Sequence, residues 1–419
     1  MTADEVPDEP RPSGRGRSST ADRQTGSQAL WIRENGPFLT VGAPDRPAGD
    51  DRRAFLCVAA VLAGVGLTVA HSTAMAEPDP ARVLAKCCIL MAVAVAAGIA
   101  CACTPPRWIR RLTPWLLAAT VLLLVVVLIP GVGVKSGGAR RWLRAAGVSV
   151  QPAELAKLCV PLAIAFRPVP PRRLLTGRFG LGSLRRAFGL WPAVLCAGLI
   201  AAEPDLSTAI TVLLGATAAV WLRGWPAWPF AAGLCAAVPA AAGTFWLRPY
   251  QWNRVTAFVE ALADPAAAPY QVRQGAVALG SGGVWGCGLG RGWQKLSFLP
   301  EADDDFALAA VGEELGLVGA GGVLLLWILL AWFGLRAIRF APPVRRAAAG
   351  ALVVQLVGQA LLNAGVVCGL LPPTGIPHPF LSRGGSSLVV TCAAIGLVLA
   401  LGRPGDSHRL QAKESGDSP

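Results

Sequence analysis

Four carboxylates crowd into one short stretch, Leu299-Pro300-Glu301-Ala302-Asp303-Asp304-Asp305-Phe306, at the mouth of a long apolar run. Unpaired charge at such a place is costly unless something uses it, so this stretch is read as the reactive centre. It closes a polar segment, Tyr250 to Gly319, that also carries Arg254, Gln271 and Gln274. Two other charged groups resemble it in position. Lys135, Arg140, Arg141 and Arg144 lie in one link between apolar runs, followed by Glu154 and Lys157 three apart on one helix face. Glu203 and Asp205 sit in a tight turn between two further runs. Acids can move protons or hold a cation, and Arg or Lys binds phosphate or diphosphate.

These groups are held by a very apolar frame. The chain is 53% hydrophobic and 15% charged over 419 residues, with a mean hydropathy of +0.51, a balance that excludes an ordinary soluble domain. A net charge of +13 would suggest nucleic acid in a soluble chain. Here much of the Arg lies in short links between apolar runs, the orientation signal of membrane proteins, so a nucleic-acid partner is excluded. The eleven Cys fall mostly inside apolar runs and read as small packing groups. Cys101 and Cys103 lack the second ligand pair of a zinc site.

The runs predict an all-α polytopic membrane protein with ten transmembrane helices: 54–70, 83–103, 112–129, one from Pro152, 188–202, 206–222, 229–247, 306–333, 349–371 and 387–401. Most approach the roughly 20 residues that a bilayer needs. Residues 1–53, rich in Pro, Gly, Ser, Asp and Arg, are expected to form a disordered cytoplasmic tail with no signal peptide. The transmembrane domain is 54–403, with a long extracytoplasmic loop at 248–305 between helices 7 and 8, and 404–419 is a second cytoplasmic tail. Arg52 and Arg53, then Arg107, Arg110 and Arg111, the basic 167–186 link, and Arg336, Arg339, Arg345 and Arg346 mark the inner side.

With that orientation the polar groups gather at outer helix ends rather than at the midplane, where a secondary transporter keeps its site. The geometry suits chemistry on a molecule whose head projects from the outer leaflet while its tail lies in lipid. The glycines from Gly280 to Gly292 are not a nucleotide loop, because no Gly-Lys-Ser/Thr follows them.

Four blocks carry a family resemblance: GGARRWLRAAGVSVQPAELAKL (Gly137 to Leu158), EPDLSTA (Glu203 to Ala209), Tyr270 to Ala320 with its VGEELG, and GLLPPTGIPHPFLSRGGSS (Gly369 to Ser387). Together they resemble the shape, elongation, division and sporulation family of membrane glycosyltransferases, the FtsW, RodA and SpoVE group. The YQ, GLG, QK and VGEELG wording is closer to the FtsW/SpoVE branch. The resemblance implies polymerisation of lipid II, an undecaprenyl-diphosphate-linked substrate, into peptidoglycan glycan strands in division or sporulation. It also implies a class B penicillin-binding protein and other divisome proteins as partners, in the bacterial cytoplasmic membrane with both termini cytoplasmic.

The family's essential Asp, the one before the Phe that opens the helix, corresponds to Asp305. As general base it would take the proton from an acceptor sugar hydroxyl while the lipid diphosphate leaves; no His lies near it in sequence. A helix N-cap is the plainer role for the same residue. Arg141, Lys157 and Arg254 are candidates to balance the diphosphate. Trp142, Glu154, Gln271 and Glu301 complete the candidate substrate-binding set, although Glu154 with Lys157 reads equally as a structural ion pair and Trp142 as an interfacial anchor. Glu313 and Glu314 read as structural. A divalent cation, Mg or Mn, with Asp303 and Asp304 as ligands, is the one cofactor considered. The wording departs from the family's at Asp303 and Asp304, where His-Thr is usual, at Arg383 in place of Tyr, and at Ser207 in place of Gly. A lipid II flippase and a non-catalytic division scaffold are the alternative functions.

Overall fold

Apolar runs of this length can satisfy their backbone in lipid only as helices or a closed barrel, and the computed structural model is mostly helical. It describes residues 48–136, 139–145, 148–167, 188–224, 256–261, 263–264, 268–296, 298–300 and 302–404. The helices are α1 (Ala48–Ala74), α2 (Pro80–Cys103), α3 (Pro106–Leu128), α4 (Pro152–Ala165), α5 (Trp191–Ala202), α6 (Leu206–Leu222), α7 (Tyr270–Gly282), α8 (Ala307–Ala337), α9 (Pro343–Val367) and α10 (Gly385–Leu401). Five of them, α1, α2, α3, α8 and α9, are long and apolar enough to cross a membrane, while α5, α6 and α10 are shorter apolar helices. The predicted run at 229–247 and both tails, except for the few residues at their inner edges, lie outside the described residues.

Two expectations need correction. The chain is not purely α: between α3 and α4 lies an antiparallel sheet of order β1-β2-β3, made of Val134–Ser136, Ala139–Ala145 and Val148–Val150. The segment 248–305, expected to be a loop, is also not all loop, since α7 fills 270–282. Boundaries moved as well. α1 starts at Ala48 because Asp50 and Asp51 suit a first helical turn, and Asp51 receives Arg336 Nε at 2.9 Å.

α4 is the central helix: twelve of its fourteen residues are buried, Glu154 and Lys157 among them. Helices come close where side chains are absent. A Cβ on Gly396 of α10 would lie 2.0 Å from the Gly98 carbonyl oxygen of α2, so only hydrogen atoms fit that crossing.

The two ends of the bundle differ. At one, Asp51 on α1 is paired with Arg336 and, at 3.4 Å, Arg339 at the end of α8, and Arg403 donates to the Ala102 carbonyl of α2. At the other, Thr73 of α1 meets Arg383 of the segment before α10, which in turn holds Asp303 before α8. The Arg-rich helix ends and the acidic stretch therefore occupy opposite ends.

α8 is broken at Gly316, whose φ of 67° and ψ of −163° lie outside helical space. A Cβ there would fall 2.4 Å from both Gly286 N and the Val284 carbonyl oxygen, and that φ disfavours any L side chain. Leu317 N–H donates to the Gly283 carbonyl and Val318 N–H to that of Val284, while Cys287 and Gly288 N–H groups donate to the carbonyls of Glu313 and Glu314. Beyond the break, 317–337 is a straight run of about 31 Å at 1.5 Å per residue, close to the ~30 Å hydrocarbon core. Before it, residues 307–314 are all buried. The adjacent α1 residues Ser72 and Thr73 reach Glu314 and, through Arg383, Asp303.

Candidate active site

The acidic stretch forms a turn, 302–306, immediately before α8. Its backbone is held by the segment between α9 and α10. Arg383 N–H donates to the Asp303 carbonyl at 2.9 Å, Ser382 Oγ to that of Asp304 at 2.7 Å, and Asn363 Nδ2 of α9 to that of Asp305 at 2.7 Å. Asn363 also donates to the Ile376 carbonyl at 2.8 Å. A Cβ on Gly375, where φ is +72°, would stand 3.3 Å from Asp305 Oδ2, so this loop lies directly against the carboxyl. Asp303, Asp304 and Asp305 are half-buried, and their carboxyls face the same segment: Arg383 Nη1 lies 2.9 Å from Asp303 Oδ2, and a Cβ on Gly384 would stand 3.8 Å from Asp304 Oδ1.

The segment that bears His378 thus does reach the turn. His378 itself is fully buried, with Nδ1 2.9 Å from the Pro379 carbonyl oxygen and its ring edge-on to Trp327 at 5.7 Å.

The Glu203–Asp205 turn joins the same end. Ser207 Oγ donates to the Thr374 carbonyl, next to Gly375. Asp205 caps α6 through Thr208 N–H at 3.1 Å and takes Gln151 Nε2 at 3.0 Å. Arg141, on β2, donates to the Glu203 and Pro204 carbonyls and stands 4.0 Å from Asp205 Oδ2. Trp142 neighbours it on that strand.

Lys157 lies 2.6 Å from Glu154 Oε2 and donates to Gln359 Oε1 at 2.9 Å, and Gln359 Nε2 donates to the Pro377 carbonyl at 2.9 Å. The α4 pair is therefore tied through α9 to the loop that lines the turn. Gln271 of α7 reaches the Pro300 carbonyl at 3.5 Å, just before the acidic stretch. Arg254 and Glu301 lie outside the described residues.

Asp303 and Arg383, two of the departures in the sequence, are partners: Nη1 lies 2.9 Å from Asp303 Oδ2. That oxygen is engaged by Arg383, and no three His, Cys, Asp or Glu side chains converge among the described residues, which do not include Glu301; a Mg or Mn ion shared with substrate phosphates would need only one or two carboxylates, and Asp303 and Asp304 would supply them.

Glu203 is 1% exposed, and neither carboxyl oxygen has a hydrogen-bond partner. Burial, then repulsion from Asp205, outweigh the attraction of Arg141 and raise its pKa from 4.5 to about 8. Between those values the folded protein keeps a proton that the unfolded chain has released, so stability falls as pH rises, by up to about 1.4 kcal/mol per unit. Glu203→Gln should flatten this part of the pH dependence of thermal unfolding in detergent between pH 5 and 8. Equal slopes for mutant and wild type would refute the assignment.

Sequence reasoning overlooked the role of Lys295. It is buried and paired with Glu314, and it donates to Ser72 Oγ at 2.5 Å. Glu313 accepts the backbone N–H groups of Trp293 at 2.7 Å and Gln294 at 3.1 Å. The structural reading of both glutamates is thus given partners. The available signal was a lone lysine in an Arg-rich chain. Beside this network is an apolar slot of about 180 Å³ between α1 and α8, walled by Val65, Val69, Ala310, Val311 and Leu315, with Ser72 and Glu314 adding its polar groups.

A family model described as "Cell cycle protein", named for FtsW, RodA and SpoVE, matches residues 52–405. A "Probable peptidoglycan glycosyltransferase FtsW" of Alkalilimnicola ehrlichii is 38% identical over 354 residues, covering 81% of this chain and 86% of that one. The protein of the same name from Halorhodospira halophila is 34% identical over 384 residues, covering 89% and 94%. Among solved structures, a chain of a peptidoglycan synthase complex that coordinates polymerization and crosslinking is 28% identical with a TM-score of 0.66, covering 83% of this chain and 96% of that one. Thermus thermophilus Rod shape determining protein RodA is 27% identical with a TM-score of 0.60, covering 83% and 95%.

Proposed function

Since the chain belongs to the FtsW, RodA and SpoVE family, we propose that it is a peptidoglycan glycosyltransferase of the bacterial cytoplasmic membrane that polymerises lipid II at the outer face, with Asp305 as general base. The observation that carries the assignment of the site is the turn at 302–306. It stands at the end of the bundle opposite Arg336 and Arg339, its main chain is held from one side, and its carboxyls are half-buried.

In this reading Asp305 takes the proton of an acceptor sugar hydroxyl as the oxygen attacks the anomeric carbon, and the bond to the diphosphate breaks. The leaving group needs a cation on the same rim. Arg141 is the better described candidate, because its side chain keeps 27% exposure against 6% for that of Lys157, although both already have protein partners. Lipid II is the substrate. A class B penicillin-binding protein that crosslinks the product is the partner, by analogy with the synthase complex that the chain resembles.

The finer topology is ten spanning helices, with 229–247 as the seventh and both termini in the cytoplasm. Depth follows from the break in α8: if 317–337 fills the hydrocarbon, Gly316 marks its outer boundary. The loop fastened there exposes Trp285 by 80% and Trp293 by 72%, and indole favours the headgroup boundary. Brominated phospholipids should therefore quench more fluorescence in wild type than in a Trp285→Phe/Trp293→Phe variant. No difference at any bromine depth would rule out this placement.

The function is tested by supplying lipid II to the purified protein with its class B partner and resolving the glycan products. Polymer from the wild type is expected. A wild type that moves lipid II across a bilayer yet makes no polymer would support the flippase, and one that does neither would support the scaffold.

A further inference from the structure

We infer that Arg383 is a positioning residue for the transfer step: its guanidinium clamps the turn that carries Asp305 to the outer end of α1. The inference rests on the reading of Asp305 as the base. Arg383 comes from the segment just before α10, yet it touches two other elements. Nη1 lies 2.9 Å from Asp303 Oδ2 and 3.5 Å from Glu77 Oε1, and Nη2 donates to Thr73 Oγ1 at 2.9 Å. Its own N–H holds the Asp303 carbonyl at 2.9 Å. One residue thus grips Asp303 by main chain and side chain together and joins it to α1.

The chemistry of the guanidinium suits the task. It is planar, always charged and presents donors on separate edges, so it can bridge a carboxylate and a hydroxyl at once, which an ammonium on a flexible stem does poorly. Its charge also offsets one of three successive carboxylates, whose mutual repulsion would otherwise loosen the turn. The Arg383 side chain is 15% exposed and that of Asp303 39%, so the pair is partly sheltered from solvent. Arg383 acts through the turn, since both of its terminal nitrogens are directed to protein groups.

Hydrogen exchange and kinetics on Arg383→Gln, Arg383→Lys and Arg383→Ala test the clamp in the full-length protein with its partner. In Arg383→Gln the amides of 303–307 should exchange at least roughly tenfold faster, a result that does not depend on the polymerase reading. The kcat for glycan polymer should fall by roughly 10- to 100-fold, since a misplacement near 1 Å is enough, with KM for lipid II changed far less. Arg383→Lys should recover only part of kcat, and millimolar guanidinium should restore part of it to Arg383→Ala. Unchanged exchange overturns the clamp whatever the activity. A raised KM with kcat intact overturns it in favour of direct substrate binding, and a lower Tm with unaltered kcat per folded molecule reduces Arg383 to a structural role. A wild type that makes no polymer refutes the reading of Asp305 and, with it, a positioning role in transfer, while the exchange result still judges the physical contact.

Discussion

Asp305→Asn should abolish measurable glycan synthesis, with a loss of roughly 10²- to 10⁴-fold, the range that removal of a general acid–base group gives. The change keeps the shape of the side chain and removes its basicity. Folding should be retained, because Asn363 holds the main-chain oxygen of Asp305, which the substitution leaves in place. Lipid II binding should also persist, so the effect should fall on kcat more than on KM. Product is read by gel separation of glycan chains, with thermal unfolding run in parallel. A variant that polymerises at the wild-type rate would remove Asp305 from the chemistry.

Lys295→Met should be strongly destabilising. It leaves Glu314, whose side chain is 5% exposed, as a buried charge without its cation, while Ser72 loses its lysine contact. Breaking one side of such a pair costs about 3–5 kcal/mol, whereas replacing both partners by apolar groups of similar volume can be neutral. Lys295→Met should therefore lower the unfolding temperature and the yield of folded protein in detergent. Lys295→Met/Glu314→Leu should recover much of the loss. A single mutant as stable as wild type would show that the ion pair contributes nothing to the fold.

Much of the scaffold was legible because a bilayer imposes one pattern on a sequence: long apolar runs punctuated by arginine. α1, α2, α3, α8 and α9 follow from that pattern directly. The sheet at 134–150 did not, since its outer strands have only three residues and the middle one, ARRWLRA, is rich in arginine, so that charge drew attention away from the alternation. α7 was hidden for a related reason: its sequence, YQVRQGAVALGSG, holds four glycines and serines that weaken the helical signal.

The acidic stretch was legible by charge alone, and its position before a helix by the apolar run that follows Phe306. What holds it was not. Arg383 lies 80 residues from Asp303 and Asn363 lies 58 from Asp305, and no local periodicity reports contacts of that range. Lys157 shows the converse. Its partner Glu154, three residues away, was visible in sequence, but Gln359, which links the pair to the Pro377 carbonyl, was not.

The kink at Gly316 sets how far the acidic turn stands from the helical run that follows it. Were α8 straight, its nine residues from 307 to 315 would carry that turn up to about 14 Å further along the axis of 317–337. On the proposed reading, with Asp305 as base, catalytic depth would be encoded by one backbone torsion eleven positions later, and activity could be forfeited without losing a single group that meets the substrate.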